Sequence, residues 1–177
     1  MIIRLVTGED EVRTCAVLDH SYSTDHVWQM DARERAEDVN VSFRRVRLPR
    51  TMQVQYPRCL DELVFRWKQG DAILVAEDEG RIVGYLDLAI QDDQDAGWAR
   101  NLAVAPRFRR RGIGTTLLQA AADWLRRRKV NQLLIEMTTK NNPAICLAKK
   151  LGFSFCGYND RYYANHDIAI FFVKSLR

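Results

Sequence analysis

The spacing of apolar residues along this chain changes several times, and each change marks an element. Residues 2–6 form a short apolar run that reads as a strand. Val12, Cys15, Ala16 and Val17 then recur at helical spacing, and Thr7, with Asp10 three residues on, supplies the expected cap. The pattern fades near Ser21. Residues 21–38 are polar with embedded aromatics and predict a loop with weak helix. Val39, Val41 and Phe43 alternate with polar neighbours as in a strand, and Pro49 and Pro57 bracket a second extended piece. Leu60, Leu63, Val64 and Trp67 return to helical spacing, and Gly70 closes that helix.

From residue 72 the pattern sharpens. Residues 72–76 and 81–90 read as two strands joined at Glu77-Asp78-Glu79-Gly80, a hairpin signal. Asp92, Asp93 and Asp95 form an acidic, solvated turn, and residues 98–104 are a further strand that stops before Pro106. A long helix follows the glycines, with Ile113, Leu117, Ala121, Trp124 and Leu125 on one face. A strand over 133–137, a helix over 143–150 closed by Gly152, and strands over 153–158 and 168–173 complete the chain. No repeat or linker interrupts the 177 residues, so residues 1–177 are expected to form one domain. This order requires a mixed α/β layer fold, with parallel pairing across at least one crossover helix.

Composition narrows the function classes. An apolar fraction of 47% suits a globular core, and a net charge of +4 permits an anionic partner without selecting one. The basic residues are bunched, at Arg107, Arg109, Arg110 and Arg111 and again at Arg126, Arg127, Arg128 and Lys129. Such runs are the footprint of nucleic-acid binding. A phosphorylated cofactor needs only the first of them, and the second ends a helix, where cations suit the dipole. No nucleic-acid partner is therefore expected. Cys15, Cys59, Cys146 and Cys156 lack the spacing of a zinc or redox motif and read as buried small hydrophobes in a reducing compartment. His20 and His26 flank Asp25, but a metal site needs three or four convergent ligands, so no metal is expected. Arg4 and Glu9-Asp10-Glu11 interrupt any signal-peptide pattern, and no apolar stretch approaches the roughly 20 residues of a membrane span. The expectation is a soluble cytoplasmic protein without a membrane partner, either monomer or homodimer.

Candidate chemistry centres on Arg109-Arg110-Arg111-Gly112-Ile113-Gly114-Thr115, between a strand and a long helix. The glycines let backbone N–H groups converge on an anion, and the helix adds its positive end and unpaired first-turn donors. A pyrophosphate is the natural occupant; an exposed basic turn before a surface helix is the bland alternative. A dinucleotide fold would need a third glycine and an early acidic ribose ligand, and a Walker loop would need Gly-Lys-Ser/Thr; neither is present.

The stretch from Leu102-Ala103-Val104 through Arg109 to Gly112-Ile113-Gly114 resembles the central Gln/Arg-x-x-Gly-x-Gly/Ala signature of the GNAT acetyltransferases. Asn141-Asn142-Pro143-Ala144-Ile145 leading to Leu151-Gly152-Phe153 resembles that family's Asn-x-x-Ala-Ile…Leu-Gly-Phe segment. The resemblance implies an acyl-CoA N-acyltransferase fold, with a mixed, mostly antiparallel central sheet and helices on both faces. It implies acetyl coenzyme A as cosubstrate. The pyrophosphate would lie on residues 109–115 and the pantetheine arm along Leu102, Ala103 and Val104, with Asn141 and Ala144 as further contacts. It implies direct attack by a primary amine, with the Val104 N–H as oxyanion donor. Many members take the thiolate's proton from a Tyr that falls at Ala148 here, and many carry a general base on the strand where this chain has Trp98 and Arg100. The replacements in view are Tyr163, ahead of Tyr158 and Tyr162, as acid; Glu136, Asp87 and Asp167 are the remaining carboxylates, with Glu136 placed in the catalytic set. The tail resembles the streptothricin acetyltransferases, which implies a cationic small-molecule amine as acceptor, with Tyr22, Asp25 and Trp28 as its pocket. A protein N-terminal or lysine acetyltransferase and a coenzyme-binding module without turnover are the alternatives.

Overall fold

The computed structural model describes residues 1–91, 93 and 95–177, so Asp92 of the expected acidic turn lies outside the described residues. Two sheets are present. The larger has seven strands, β1 (Ile2–Leu5), β4 (Ala72–Asp78), β5 (Arg81–Gln91), β6 (Ala96–Val104), β7 (Gln132–Thr138), β8 (Ser154–Asn159) and β9 (Ala169–Ser175), in the order β1-β4-β5-β6-β7-β9-β8. Every pair is antiparallel except β6 with β7, which are joined by the crossover helix α3 (Ile113–Arg127). The smaller sheet is the hairpin of β2 (Tyr22–Arg35) and β3 (Asp38–Val54).

Both faces of the large sheet are covered, which explains why β4 reads as a continuous apolar run. Ala72, Leu74 and Ala76 face the main core beneath α3 and α4 (Asn142–Lys150), while Ile73 and Val75 join Val12, Cys15 and Leu63 from α1 (Glu9–Ala16) and α2 (Leu63–Lys68). On α3, Ile113, Leu117, Ala121, Trp124 and Leu125 are buried, the face that the 3.6-residue period selects. Gly97 lets this helix approach, because a Cβ there would overlap the Leu125 side chain.

Several local expectations need correction. The loop expected over residues 21–38 is mostly strand. β2 pairs with β3 from Tyr22↔Val54 to Arg35↔Asp38, around the two-residue turn at Ala36 and Glu37. The distal half of this hairpin is held by backbone pairing: β2 is solvated there and carries no apolar alternation, while the alternation of Val39, Val41 and Phe43 falls in β3 as expected. The N-cap of α1 is Gly8, not Thr7; Glu11 instead accepts from the Thr7 N–H at 2.7 Å and hydroxyl at 3.2 Å. Asp95 is tied down, accepting from the N–H and side chain of Asn131 at 3.1 and 2.7 Å. Of the cysteines only Cys15 is buried. Cys59, Cys146 and Cys156 are exposed, on a loop, on α4 and on the edge strand β8.

Candidate active site

The site begins with an irregularity in β6. Leu88 pairs with Ala99 but Asp87 pairs with Asn101, so Arg100 is an extra residue, a β-bulge. Parallel pairing with β7 stops at Ala99↔Ile135, one residue before it. Beyond the bulge the two strands separate. The Ala105 N–H donates to Val83 O at 2.8 Å, which makes the Ala103–Tyr85 pair a hydrogen-bonded one and turns the backbone of Leu102 and Val104 away from β5. The Leu102 N–H and C=O and the Val104 N–H therefore face the gap, where β7 offers no ladder partner. The cleft so formed encloses about 630 Å³ counted to its mouth. Leu102 lines one wall, Glu136, Met137 and Thr138 the other, and Leu118, Asn141, Ala144 and Leu147 its floor.

One end of the site is the N-terminus of α3, the helix whose Leu118 lines the cleft floor. None of the N–H groups of residues 110–115 has an acceptor among the described residues. Arg110 and Gly112 hold left-handed backbone, with φ of 64° and 86°, which folds these donors into a concave cradle. A Cβ at Gly112 would meet nothing within 4 Å, so the glycine serves the conformation and leaves space for a ligand. Gly114 has a different task, since a Cβ there would come within 3.3 Å of Leu147 and push α3 from α4. Arg109 does not present its charge to the cradle. Its guanidinium donates to the carbonyls of Val104 (2.7 Å), Ser21 (2.7 Å) and Asp19 (2.6 Å), fastening the end of β6 to the segment before β2. Asn141 caps α4, its Oδ1 accepting from the Ala144 N–H at 3.1 Å, and its amide nitrogen remains available at the cleft.

The other end is built from side chains that are distant in sequence. Glu136 has a side chain only 1% exposed. It is ion-paired with Arg58 and accepts from Tyr162 (2.9 Å) and Tyr163 (3.4 Å). Tyr22 reaches in from β2, its hydroxyl 3.0 Å from Thr138 Oγ1. Burial pushes the Tyr22 phenol up to about 12 and raises Tyr56 and Tyr163 further still, so all three stay protonated across the working range. Beneath them the Tyr56 hydroxyl donates to Asn101, whose amide donates to Asp87 at 2.6 Å. Asp87 is fully buried, and burial raises its carboxyl above the usual carboxylate range.

Of the expected acceptor residues, only Tyr22 lines the cleft. Asp25 is exposed and bonded to His26, and Trp28 lies against α4, donating to Asn142 at 3.2 Å beneath the Lys149 ammonium. Trp28 docks the hairpin, and its backbone N–H reaches Thr139 O at 2.8 Å. Asp167 is taken up by Lys140. Ala148 is fully buried in the main core. Tyr56, Arg58 and Arg100 at the cleft were not anticipated. No motif marks them, and Arg58 and Glu136 meet across 78 residues of sequence. Among the described residues no group of His, Cys, Asp and Glu is placed to hold a metal, and no helix is long and apolar enough to cross a membrane.

Residues 41–153 match the model of the acetyltransferase (GNAT) family. The chain belongs to the GNAT acetyltransferase family. Streptothricin acetyltransferase of Streptomyces lavendulae is 33% identical to this GNAT chain over 85 residues, 48% of the chain but only 45% of that protein. An N-alpha-acetyltransferase of Sulfurisphaera tokodaii is 33% identical over 116 residues, 59% of this chain and 70% of its own. The crystal structure of nourseothricin acetyltransferase superposes with a TM-score of 0.84, covering 99% of this GNAT chain and 98% of the other at 22% identity, which establishes a shared fold.

Proposed function

We propose that this chain transfers an acetyl group from acetyl coenzyme A to a primary amine of a cationic small molecule, of which a streptothricin-like antibiotic is one example, by direct attack. The observation that carries this reading is a juxtaposition: α3 opens on the free N–H groups of residues 110–115, and its Leu118 lines a cleft shared with Leu102, Glu136 and the phenols around it.

The residues present fit the coenzyme. The cradle offers donors without side chains in the way, which suits a pyrophosphate, and the free backbone of Leu102 suits an amide-bearing arm. When bound, the coenzyme supplies an activated thioester. The rest falls to the chain. The Val104 N–H faces the gap and is the donor for the carbonyl oxygen as it gains charge. Tyr163, protonated and buried at the cleft wall, is the donor for the leaving sulfur. The amine must arrive deprotonated, and with Glu136 engaged by Arg58 its proton passes to water at the cleft mouth.

The S. tokodaii relative supports a second reading, a protein N-terminus as acceptor. Closure of the acceptor end by Tyr22, Tyr56 and Pro57 favours a small amine. A panel of polyamines, streptothricin-type antibiotics and peptides, incubated with acetyl coenzyme A and read by mass spectrometry with free-thiol release, decides among them. Acetylated peptide without acetylated small amine would overturn the proposal in favour of the second reading. Coenzyme binding without thiol release on any acceptor would leave a binding module.

A further inference from the structure

Glu136 already holds a cation, and that cation belongs to the chain itself. The Arg58 guanidinium is paired with its carboxylate and lies 5.4 Å from the centre of the Tyr163 ring and 5.8 Å from that of Tyr162. A buried carboxylate flanked by aromatic faces is the chemistry that recognises organic cations. Such a carboxylate is costly without a counter-charge, so something must fill the cage when no ligand does. Arg58 is also poorly tethered. The β2–β3 ladder ends at Val54, the next backbone hydrogen bond is Leu63 N–H to Leu60 O, and residues 55–59 make none among the described residues. The Arg58 side chain is 23% exposed, so it is in contact with solvent while the carboxylate it pairs with is not.

We infer that the Glu136–Tyr162–Tyr163 cage is a subsite for a second basic group of the acceptor, apart from the amine that reacts, and that Arg58 is its resident occupant until such an acceptor displaces it. The acceptor class is then a molecule with at least two basic groups. Exchange of one cation for another keeps Glu136 paired throughout, whereas a monobasic amine has no second charge to place in the cage and gains nothing from it, which is discrimination in favour of dibasic acceptors. Only the identity of the incoming cation rests on the proposed acetyltransferase reading; the capacity of the cage to hold a guanidinium does not.

The test uses methylguanidinium as probe. Arg58→Ala should melt below wild type, and a few millimolar methylguanidinium should restore its melting temperature. Wild type and the double variant Arg58→Ala with Glu136→Gln should not respond. If Arg58→Ala does not fold, Arg58→Gln keeps a donor to Glu136 without the charge and carries the same prediction. With a dibasic acceptor, KM should fall by about tenfold in the variant if Arg58 fills the cage for about nine-tenths of the time; a purely positioning role for Arg58 predicts a raised KM. No methylguanidinium response in either single variant, an equal response in the double variant, or a raised KM would overturn the inference. A clear methylguanidinium response with no acetyl transfer to any amine would support the cage and defeat the proposed function.

Discussion

The two ends of the candidate site are made in opposite ways. The end proposed for the coenzyme's phosphates is backbone: consecutive N–H groups over residues 110–115, shaped by left-handed turns at Arg110 and Gly112 and completed by one helix terminus. The acceptor end is side chain: Glu136 from β7, Tyr22 from β2, Tyr56 and Arg58 from the loop after β3, Tyr163 from the segment before β9. A backbone site is local, so a short motif specifies it and family members can share it. A side-chain site is assembled from four distant segments, and each can change alone. That is the physical reason one fold serves many acceptors while the coenzyme end stays recognisable.

The contrast can be attacked from both ends, and Gly112→Asp is the sharpest attack. A carboxylate placed within about 4–5 Å of a bound pyrophosphate costs about 3–4 kcal/mol at an effective dielectric near 20, or about 10²–10³-fold in affinity. The left-handed φ of 86° adds strain for any side chain at this position. Titration calorimetry with acetyl coenzyme A checks this, and unchanged affinity would place the phosphates elsewhere.

Next, Tyr163→Phe should lower kcat by at least about 10²-fold while leaving coenzyme affinity nearly unchanged. Full kcat on a verified acceptor would mean the sulfur leaves without a side-chain proton. Ala148→Tyr should not restore the rate, because this residue sits in the closed core and the added ring would cost about 1–3 kcal/mol of stability; a recovered rate would show that the ring reaches the cleft.

The acceptor end also leaves a mark on the pH dependence of stability. Burial raises the folded-state value of Tyr22 to about 12 and those of Tyr56 and Tyr163 further. Ordinary phenols titrate near 10, so in alkali the unfolded chain loses protons first. Stability contributed by these groups is complete below their unfolded values and is lost as pH rises through about 12. Tyr22 alone accounts for about 2–3 kcal/mol at one unit per ~1.4 kcal/mol. Chemical denaturation at pH 8 and pH 11 should show the first half of this fall, and Tyr22→Phe should shrink it by about 1.4 kcal/mol, one unit's worth; an undiminished fall in the variant would mean Tyr22 is solvated.

Asp25→Asn should do least. Asp25 is exposed and outside the cleft, so stability should change by less than about 0.5 kcal/mol and the acceptor KM by less than about threefold. A larger KM change would bring the hairpin base into the acceptor site after all.

From residue 72 onward nearly every element was legible in the sequence. There both faces of the sheet are buried, and apolar periodicity reports burial directly. The glycine-rich turn could be read as an anion cradle because its mechanism is local: φ above zero at Gly112, followed at once by a helix. β2 could not be read, because a strand solvated on both faces needs no alternation, whereas Val39, Val41 and Phe43 did mark part of β3. The side chains at the cleft were legible only in part. Tyr163 and Glu136 were singled out, yet nothing in their spacing related them to Arg58 or Tyr56. Their meeting depends on where the β6 bulge parts two strands and on a loop that closes over the gap. The sequence by itself determined the large sheet's strands, the crossover helix and the glycine turn that opens it, since these follow from periodicity and from backbone conformations that particular residues permit. Only the tertiary structure decided which charges face one another at the acceptor end, because Coulomb and hydrogen-bond energies depend on distance in space, and 78 residues of intervening chain set no such distance.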